Sequence, residues 1–450
     1  MKNNKALIIV VVILLNILVG FMIGQSLMGK GTQYDNMLAE ARSLAEQELC
    51  ARSIAKYNEA ILIKDTLDVR LEMIDVYEKG MDIGEITNTY DVFTSVTTIV
   101  DTYRKDPRAY EEACDLLLKY DRFEECAKVL MQARDLSITS EKIEASRQQV
   151  RYQNTKYYAM YTEVLPAFNG MFTVKTDTAY TFLDEEGSPS FDGTFTAASS
   201  FSEGYAFVKA THPDGTERSI LVDKEGKRQA YLDGVESSSG VGRAQNAEGV
   251  DVLLLSCKVG EKYTYMDASG KEAFGDYAFA GRFRNNVAAV MVSEGSWKLI
   301  NGAGQPITDT TFSDVVLNEF DECAPKGIII AKTGSKYHLY DLNAQQIGDF
   351  SCDGAKAFVD EYAAFCSGEL WGFVDTTGKV IIQPQYEDAK SFSNRMGAVK
   401  TSDGWVFIAP NNEIVIQETF EDVNYLNDKG ICFVKSDNYW SYLKMYYTGK

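Results

Sequence analysis

Trp371-Gly-Phe-Val-Asp375-Thr-Thr-Gly378 is the stretch that decides the fold of the C-terminal two-thirds of this chain. An aromatic residue opens it, an acidic residue follows four positions later, and a glycine comes three positions after that. Residues 371–375 alternate like a half-buried strand, and the apolar run 380–382 predicts a second strand. Asp375 and Gly378 take the first and fourth positions of a type I turn, so the stretch predicts a β-hairpin.

The same spacing recurs along residues 170–450. The opening position is found at Tyr180, Ser219, Tyr263, Trp297, Tyr337, Trp371 and Trp405. The acidic or amide position is found at Asp184, Asp223, Asp267, Asn301, Asp341 and Asp375, and the glycine at Gly187, Gly226, Gly270, Gly304 and Gly378. A mean period of about 37 residues is typical of repeat architectures. Seven copies of at least three strands predict an all-β, seven-bladed propeller-like domain, with an open β-solenoid as the alternative.

The end of the chain contains a further partial copy. Tyr439-Trp440-Ser-Tyr442 reads like the opening strand of an eighth copy that stops. We expect this strand to complete the first blade, beside residues 172–174, because closing the ring protects the edges of the sheets.

The copy at residues 371–400 resembles the WG repeat, a bacterial module named for its Trp-Gly dipeptide. The match includes Pro384, Tyr386, Phe392 and Ala398. Other copies depart from the pattern at Ser219 (the aromatic position), Ala344 and Asn412 (the turn glycine) and Ala409 (the turn Asp). The resemblance covers residues 170–450 and implies repeat-type binding or scaffolding without an established chemistry. We expect the opening aromatic residues to pack between neighbouring copies.

The N-terminus carries a long apolar run. Residues 6–28 have no charged side chain, and at about 1.5 Å per residue they are long enough to span a membrane core of about 30 Å. Lys2 and Lys5 precede the run, which favours a cytoplasmic tail at residues 1–5 and an extracytoplasmic body. We therefore predict a single-pass membrane protein with an uncleaved anchor, and a cleaved signal peptide is the alternative.

Residues 34–158 have a helical composition. They contain two glycines and one proline, and apolar residues recur at helical spacing. The segment 109–136 resembles a tetratricopeptide unit, which predicts a neck of helical hairpins; an irregular helical bundle or stalk is the alternative. The resemblance implies that Cys114 and Cys126 face each other across one hairpin, and we predict a disulfide between them.

Composition and motifs exclude several classes of function. The net charge of −20 repels nucleic acid. The eight cysteines form no CxxC pair, and the two histidines, His212 and His338, lie in separate copies. We therefore predict no catalytic, cofactor-binding or metal site and no enzyme activity, and the sequence assigns no ligand-binding residue.

These observations lead to a functional hypothesis. The sequence predicts a membrane-anchored scaffold whose helical neck and repeat domain bind a protein partner or a cell-envelope polymer. The alternative is a sensory or regulatory ectodomain that signals through a membrane partner.

Overall fold

The computed structural model describes residues 29–166, 171–184, 186–212 and 214–446. The chain divides into two compact units, Met1–Arg151 and Tyr152–Lys450. The first is helical in its described part, and the second consists of β-sheets.

The predicted membrane topology is corrected. Within the ranges that the structure describes, no helix is both long and apolar enough to cross a membrane. Helices α2–α7, whose ends are both described, have 10 to 16 residues, whereas a span takes about 20 apolar residues. The predicted tail (residues 1–5) and anchor (residues 6–28) lie outside the described residues. The single-pass membrane protein of the sequence prediction is therefore not supported, and we withdraw it.

The helical unit contains seven helices in its described part. They are α1 (residues 29–46), α2 (Cys50–Ile63), α3 (Leu67–Asp82), α4 (Thr89–Thr102), α5 (Pro107–Lys119), α6 (Phe123–Asp135) and α7 (Glu141–Val150). Side-chain caps set several of the starts: the Asp106 carboxylate accepts from the Arg108 amide, and Pro107 takes the first turn of α5. Residues 154–158 of the predicted neck belong to a strand instead, and the resemblance to tetratricopeptide units stays a prediction.

Eight antiparallel sheets make up the described part of the second unit, and we number them as blades 1 to 8. Blade 1 has strands Glu163–Leu165, Phe172–Lys175 and Tyr180–Leu183; blade 2 has Ala197–Ala198, Tyr205–Thr211, Glu217–Asp223 and Arg228–Tyr231. Blade 3 has Val235–Gln245, Asp251–Val259, Lys262–Asp267 and Glu272–Tyr277; blade 4 has Phe279–Ala280, Ala288–Ser293 and Ser296–Ile300. Blade 5 has Asp314–Val315, Ile329–Thr333 and Lys336–Tyr340; blade 6 has Gly354–Ala355, Tyr362–Ser367, Leu370–Asp375 and Val380–Tyr386. Blade 7 has Asp388–Ser393, Met396–Thr401, Gly404–Ile408 and Ile414–Phe420; blade 8 has Asp422–Val423, Ile431–Ser436, Tyr439–Met445 and, from the other end of the unit, Asn154–Tyr161.

The prediction of seven blades is wrong, because the partial copy at the end of the chain is a full blade. Trp440 pairs with Lys435 as Trp405 pairs with Lys400, so it holds the opening position of an eighth copy. Its outer strand is Asn154–Tyr161, which pairs antiparallel with Tyr439–Met445. The expected direction of closure is also wrong: the N-terminal strand completes the last blade, and the C-terminal strand does not complete the first.

The ring is closed by packing between its first and last blades. Phe172 and Val174 of blade 1 share a buried cluster with Ile431, Phe433 and Trp440 of blade 8. The rings of Phe172 and Phe433 meet edge to face at 5.0 Å, a favourable geometry for an aromatic pair. An open solenoid would leave these end surfaces apart, so the structure is an eight-bladed β-propeller.

The opening aromatic residues pack between blades, as expected. Trp405 and Trp440 are 6% and 9% exposed, and Trp297 and Trp371 pack against the apolar clusters of neighbouring blades. Polar side chains add hydrogen bonds across the same interfaces; the Ser391 hydroxyl, for example, donates to the Ala357 carbonyl at 2.7 Å. The core of the unit therefore lies between the blades.

Candidate functional site

One cavity of about 210 Å³ receives side chains from six of the eight blades. A cavity reached from so many blades lies at the centre of the ring, and we call it the central cavity. Its lining comes from the turns between the first and second strands of blades 2 and 4–8: Phe201, Ser202, Glu203, Arg282, Arg284, Asn318, Phe320, Glu322, Pro325, Lys326, Phe358, Val359, Asp360, Ser393, Asn394, Leu426 and Asp428.

The turn of blade 4 shows how the sequence positions this lining. Arg284 and Val287 exchange both backbone hydrogen bonds at 3.0 Å. Asn285 and Asn286 between them have φ of 53° and 63°, the left-handed pair that a two-residue type I′ turn requires and that asparagine tolerates. This tight turn fixes the backbone of Arg284 in the cavity lining.

A buried ion pair forms the wall between blades 4 and 5. Arg282 donates to Glu322 Oε1 from Nε at 3.2 Å and from Nη2 at 2.8 Å. Asn318 Nδ2 donates to Glu322 Oε2 at 2.9 Å, and the Arg282 guanidinium lies 4.5 Å from the centre of the Phe320 ring. Both oxygens of the carboxylate are engaged, so this wall is held rigidly.

Space for the buried arginine comes from a glycine in blade 3. Gly240 has φ of +97°, and a Cβ added there would lie 3.4 Å from Arg282 Nη1. That nitrogen is buried and has no hydrogen-bond partner among the described residues. A side chain at position 240 would crowd the guanidinium as well as strain the backbone.

Most charges at the cavity are matched in pairs. Glu203 accepts from Arg243 Nη2 at 2.8 Å, and Lys326 lies 3.3 Å from Asp360. Arg284 differs, because the residue is partly buried and its guanidinium has no ion-pair or hydrogen-bond partner in the part of the chain that the structure describes. It is the unpaired cation of the cavity lining.

A second polar contact crosses the ring from blade 5 to blade 8. Burial raises the pKa of Glu319, although its side chain keeps contact with solvent; a hydrogen bond with Tyr425 and the nearby Lys390 and Lys356 oppose that rise. Burial also raises the pKa of Tyr425 well above its ordinary value, with the Glu319 charge adding to the effect. The shift of Tyr425 reflects its enclosure by the surrounding blades, since this residue is buried.

The site residues predicted from the sequence lie elsewhere. Cys114 in α5 and Cys126 in α6 are fully buried free thiols. The hydrogen bond between them, followed by burial, raises the pKa of the Cys114 thiol. The two cysteines do face each other, but the disulfide itself stays a prediction.

The residues of the central cavity were missed from the sequence. Aligning the first turns of the blades places Arg282 where other copies have Ser200, Ala357 and Ser391, and Arg284 where they have Ser202, Val359 and Ser393. Blades 2, 6 and 7 have uncharged residues at both positions, so the two arginines of blade 4 are the signal that could have pointed to this blade.

Comparison with known proteins supports the WG repeat at two places in the chain. Residues 180–210 and 371–405 match the WG containing repeat. These two copies are WG repeats. They lie in blades 1–2 and 6–7, and the recognised WG pattern therefore includes the hairpin that begins at Trp371. No curated protein matches the chain significantly.

Several solved structures resemble this propeller at low sequence identity. BamB from Moraxella catarrhalis has a TM-score of 0.41 and 10% identity, over 65% of this chain and 100% of that one. The β-propeller domain of Cps50 (Swd1) from Myceliophteria thermophila has a TM-score of 0.36 and 11% identity, over 65% and 99%. PorZ, a surface component of the type-IX secretion system of Porphyromonas gingivalis, has a TM-score of 0.32 and 9% identity, over 62% and 42%.

Proposed function

We propose that this chain is a non-catalytic scaffold that binds a protein partner on the face of the ring that surrounds the central cavity. The observation that carries the proposal is the convergence of turns from six blades on one cavity. Such a surface presents many side chains in fixed positions, which lowers the entropic cost of binding.

A neighbouring recess extends the proposed binding face. A second cavity of about 290 Å³ shares Glu203 and Arg284 with the central cavity and reaches Asp251 and Asn286 on blades 3 and 4. Together the two recesses are lined by residues of blades 2 to 8, so the proposed binding face takes in seven of the eight blades.

The charge of the chain favours a protein over a nucleic acid as partner. The net charge of −20 repels the phosphate backbone of nucleic acids. A protein partner presents both positive and negative side chains, which can complement the paired charges of the cavity lining. A cell-envelope polymer and a sensory role depended on the predicted anchor, and no feature of the cavity favours them.

Site-specific photo-crosslinking tests the proposed binding face. The second strand of each blade returns away from the cavity, so the turn that follows it lies on the opposite face of the ring. A benzophenone amino acid at Val359, in the cavity lining of blade 6, should capture a discrete polypeptide in the cells that make the protein. The matched control at Glu369, an exposed position on the opposite turn of the same blade, should not.

The captured polypeptide is then purified and tested for binding to the intact chain. Binding that is lost in the Val359→Asp variant but kept in Glu369→Lys supports the proposal. Equal capture from both positions contradicts the proposed binding face. Binding that is unchanged in the Val359→Asp variant contradicts it as well.

A further inference from the structure

Arg284 is placed for a ligand that the described chain does not supply. It follows Arg282 by two residues, and Phe283 between them is 1% exposed and packed into the interface of blades 3 and 4. Because side chains alternate along an extended strand, Arg284 faces the cavity on the same side as Arg282.

Arg284 differs from the other cations of the cavity, which both have carboxylate partners. Arg282 binds Glu322, and Lys326 lies 3.3 Å from Asp360. A half-buried guanidinium loses hydration and usually regains hydrogen bonds from a neighbour. Arg284 is a partly buried residue whose guanidinium has no such neighbour among the described residues.

The surroundings of Arg284 are already ordered. Its turn is fixed by the left-handed Asn285 and Asn286, and Ser202 and Ser393 line the same cavity from blades 2 and 7. A planar guanidinium fork is the protein group best matched to a planar carboxylate, which it binds through two parallel hydrogen bonds.

We propose that the central cavity binds a peptide carboxylate, held by the Arg284 guanidinium. This inference rests on the proposed scaffold function and names the chemistry that the partner presents. The carboxylate is either the C-terminus of the partner or an Asp or Glu side chain, and the same fork receives both.

The charge of the lining favours a singly charged anion. Four acidic and three basic side chains line the cavity: Glu203, Glu322, Asp360 and Asp428 against Arg282, Arg284 and Lys326. A dianionic phosphate would meet more repulsion from these acids than a carboxylate does. Carboxylate peptides should therefore bind more tightly than inorganic phosphate.

Calorimetric titration of the full chain at low ionic strength tests the proposal. The probes are N-acetyl-triglycine with a free C-terminus, its C-terminal amide, N-acetyl-Gly-Glu-Gly amide, and inorganic phosphate. At least one carboxylate probe should bind, the uncharged amide should not, and added salt should weaken the interaction. The free acid and the glutamate peptide distinguish the two sources of the carboxylate.

Arg284→Gln should weaken that binding about tenfold or more, since a charge-assisted pair is lost. Arg284→Lys should recover part of it. Lys400→Gln is the matched control, because it removes one charge from an exposed residue outside the cavity. The Arg284→Gln substitution breaks no ion pair or hydrogen bond of the described chain. The melting temperature of this variant should therefore equal that of the parent.

The outcomes separate this inference from the scaffold function. If no carboxylate probe binds, if phosphate binds more tightly, or if Arg284→Gln leaves binding unchanged, the carboxylate site is overturned. Crosslinking from Val359 would still stand as evidence for the scaffold in each of those cases. If crosslinking from Val359 fails while Arg284 binds carboxylates, the scaffold function is overturned and the anion site remains.

Discussion

Arg282 of blade 4 and Glu322 of blade 5 form an ion pair in which both side chains are almost fully buried, at 4% and 7% exposure. The pair joins two blades at the centre of the ring, and Asn318 completes it by donating to the second carboxylate oxygen. A buried charge is costly unless it is matched, so each partner depends on the other.

Removing one member of this pair should be far more damaging than removing both. Glu322→Ala should lower the free energy of unfolding by about 3–5 kcal/mol, because it leaves the Arg282 charge buried without a carboxylate. The double variant Arg282→Met with Glu322→Leu should lie much closer to the parent. Tryptophan fluorescence during urea unfolding measures this, since all four tryptophans lie in the propeller. A Glu322→Ala protein as stable as the parent contradicts the pairing.

The turn at Asp375 should tolerate an amide but not an apolar residue. Asp375 Oδ1 accepts from the amides of Thr377 at 2.9 Å and Lys379 at 3.0 Å. Asn301 makes the same two contacts in blade 4, so Asp375→Asn should cost under about 1 kcal/mol and Asp375→Ala about 2 kcal/mol. Urea unfolding of the two variants checks the ranking, and equal losses would speak against an acceptor role.

The same aspartate makes stability depend on pH. Burial pushes the pKa of Asp375 upward, but hydrogen bonds from Thr377 and Lys379 outweigh it and lower the pKa overall. A lowered pKa contributes stability that is complete above the unfolded value of about 3.9 and is lost as the pH falls through the folded value. The advantage of the parent over Asp375→Asn should therefore shrink between about pH 5 and pH 3; an advantage that grows on acidification would refute this.

Gly372, the second residue of the Trp-Gly dipeptide, should not accept a side chain. A Cβ there would lie 2.4 Å from the carbonyl oxygen of Ile382 and 2.7 Å from the nitrogen of Pro384. Gly372→Ala should therefore cost about 3 kcal/mol or more through backbone displacement. Gly368→Ala is the control: the site is open but has φ of +65°, so only about 1 kcal/mol is expected. Similar losses at both positions, measured by urea unfolding, would contradict the close contact.

The cysteine pair of the helical unit should form a disulfide under oxidising conditions. Cys114 and Cys126 are hydrogen-bonded across the α5–α6 hairpin, and the raised pKa of Cys114 keeps it a thiol at neutral pH. We expect a mild oxidant to oxidise the pair slowly but completely. When the oxidised protein is then denatured, neither residue should be alkylated until reductant is added. Mass spectrometry after alkylation measures this, with Cys126→Ser as the control. Full labelling of both thiols without reductant would rule the disulfide out.

The hairpins were predictable because their chemistry is local. Asp375 and Gly378 stand three residues apart, and Gly378 indeed donates from its amide to the Asp375 carbonyl at 3.0 Å with φ of +88°. Turn residues of this kind act on their own backbone, so a single copy of the sequence contains the information. The same holds for the opening tryptophans, whose period already indicated packing between blades.

The blade count and the cavity were not predictable in that way. The outer strand of blade 8 comes from Asn154–Tyr161, more than 270 residues before its partner Tyr439–Met445. The sequence of neither strand indicates that the two pair with each other, so the last copy was predicted to be incomplete. Arg284 likewise lines a cavity only because the closed ring brings its turn together with turns of five other blades.

Closure of the ring by the strand Asn154–Tyr161 is the claim on which the cavity and its proposed functions depend. Hydrogen–deuterium exchange of the intact protein, read peptide by peptide, tests it most directly. The closed eight-bladed ring predicts that the amides of residues 154–157 that face the partner strand are protected from exchange, because Asn154 to Tyr157 pair in register with Met445 to Tyr442. Exchange of those amides within seconds, beside a protected partner strand, would contradict the closed ring.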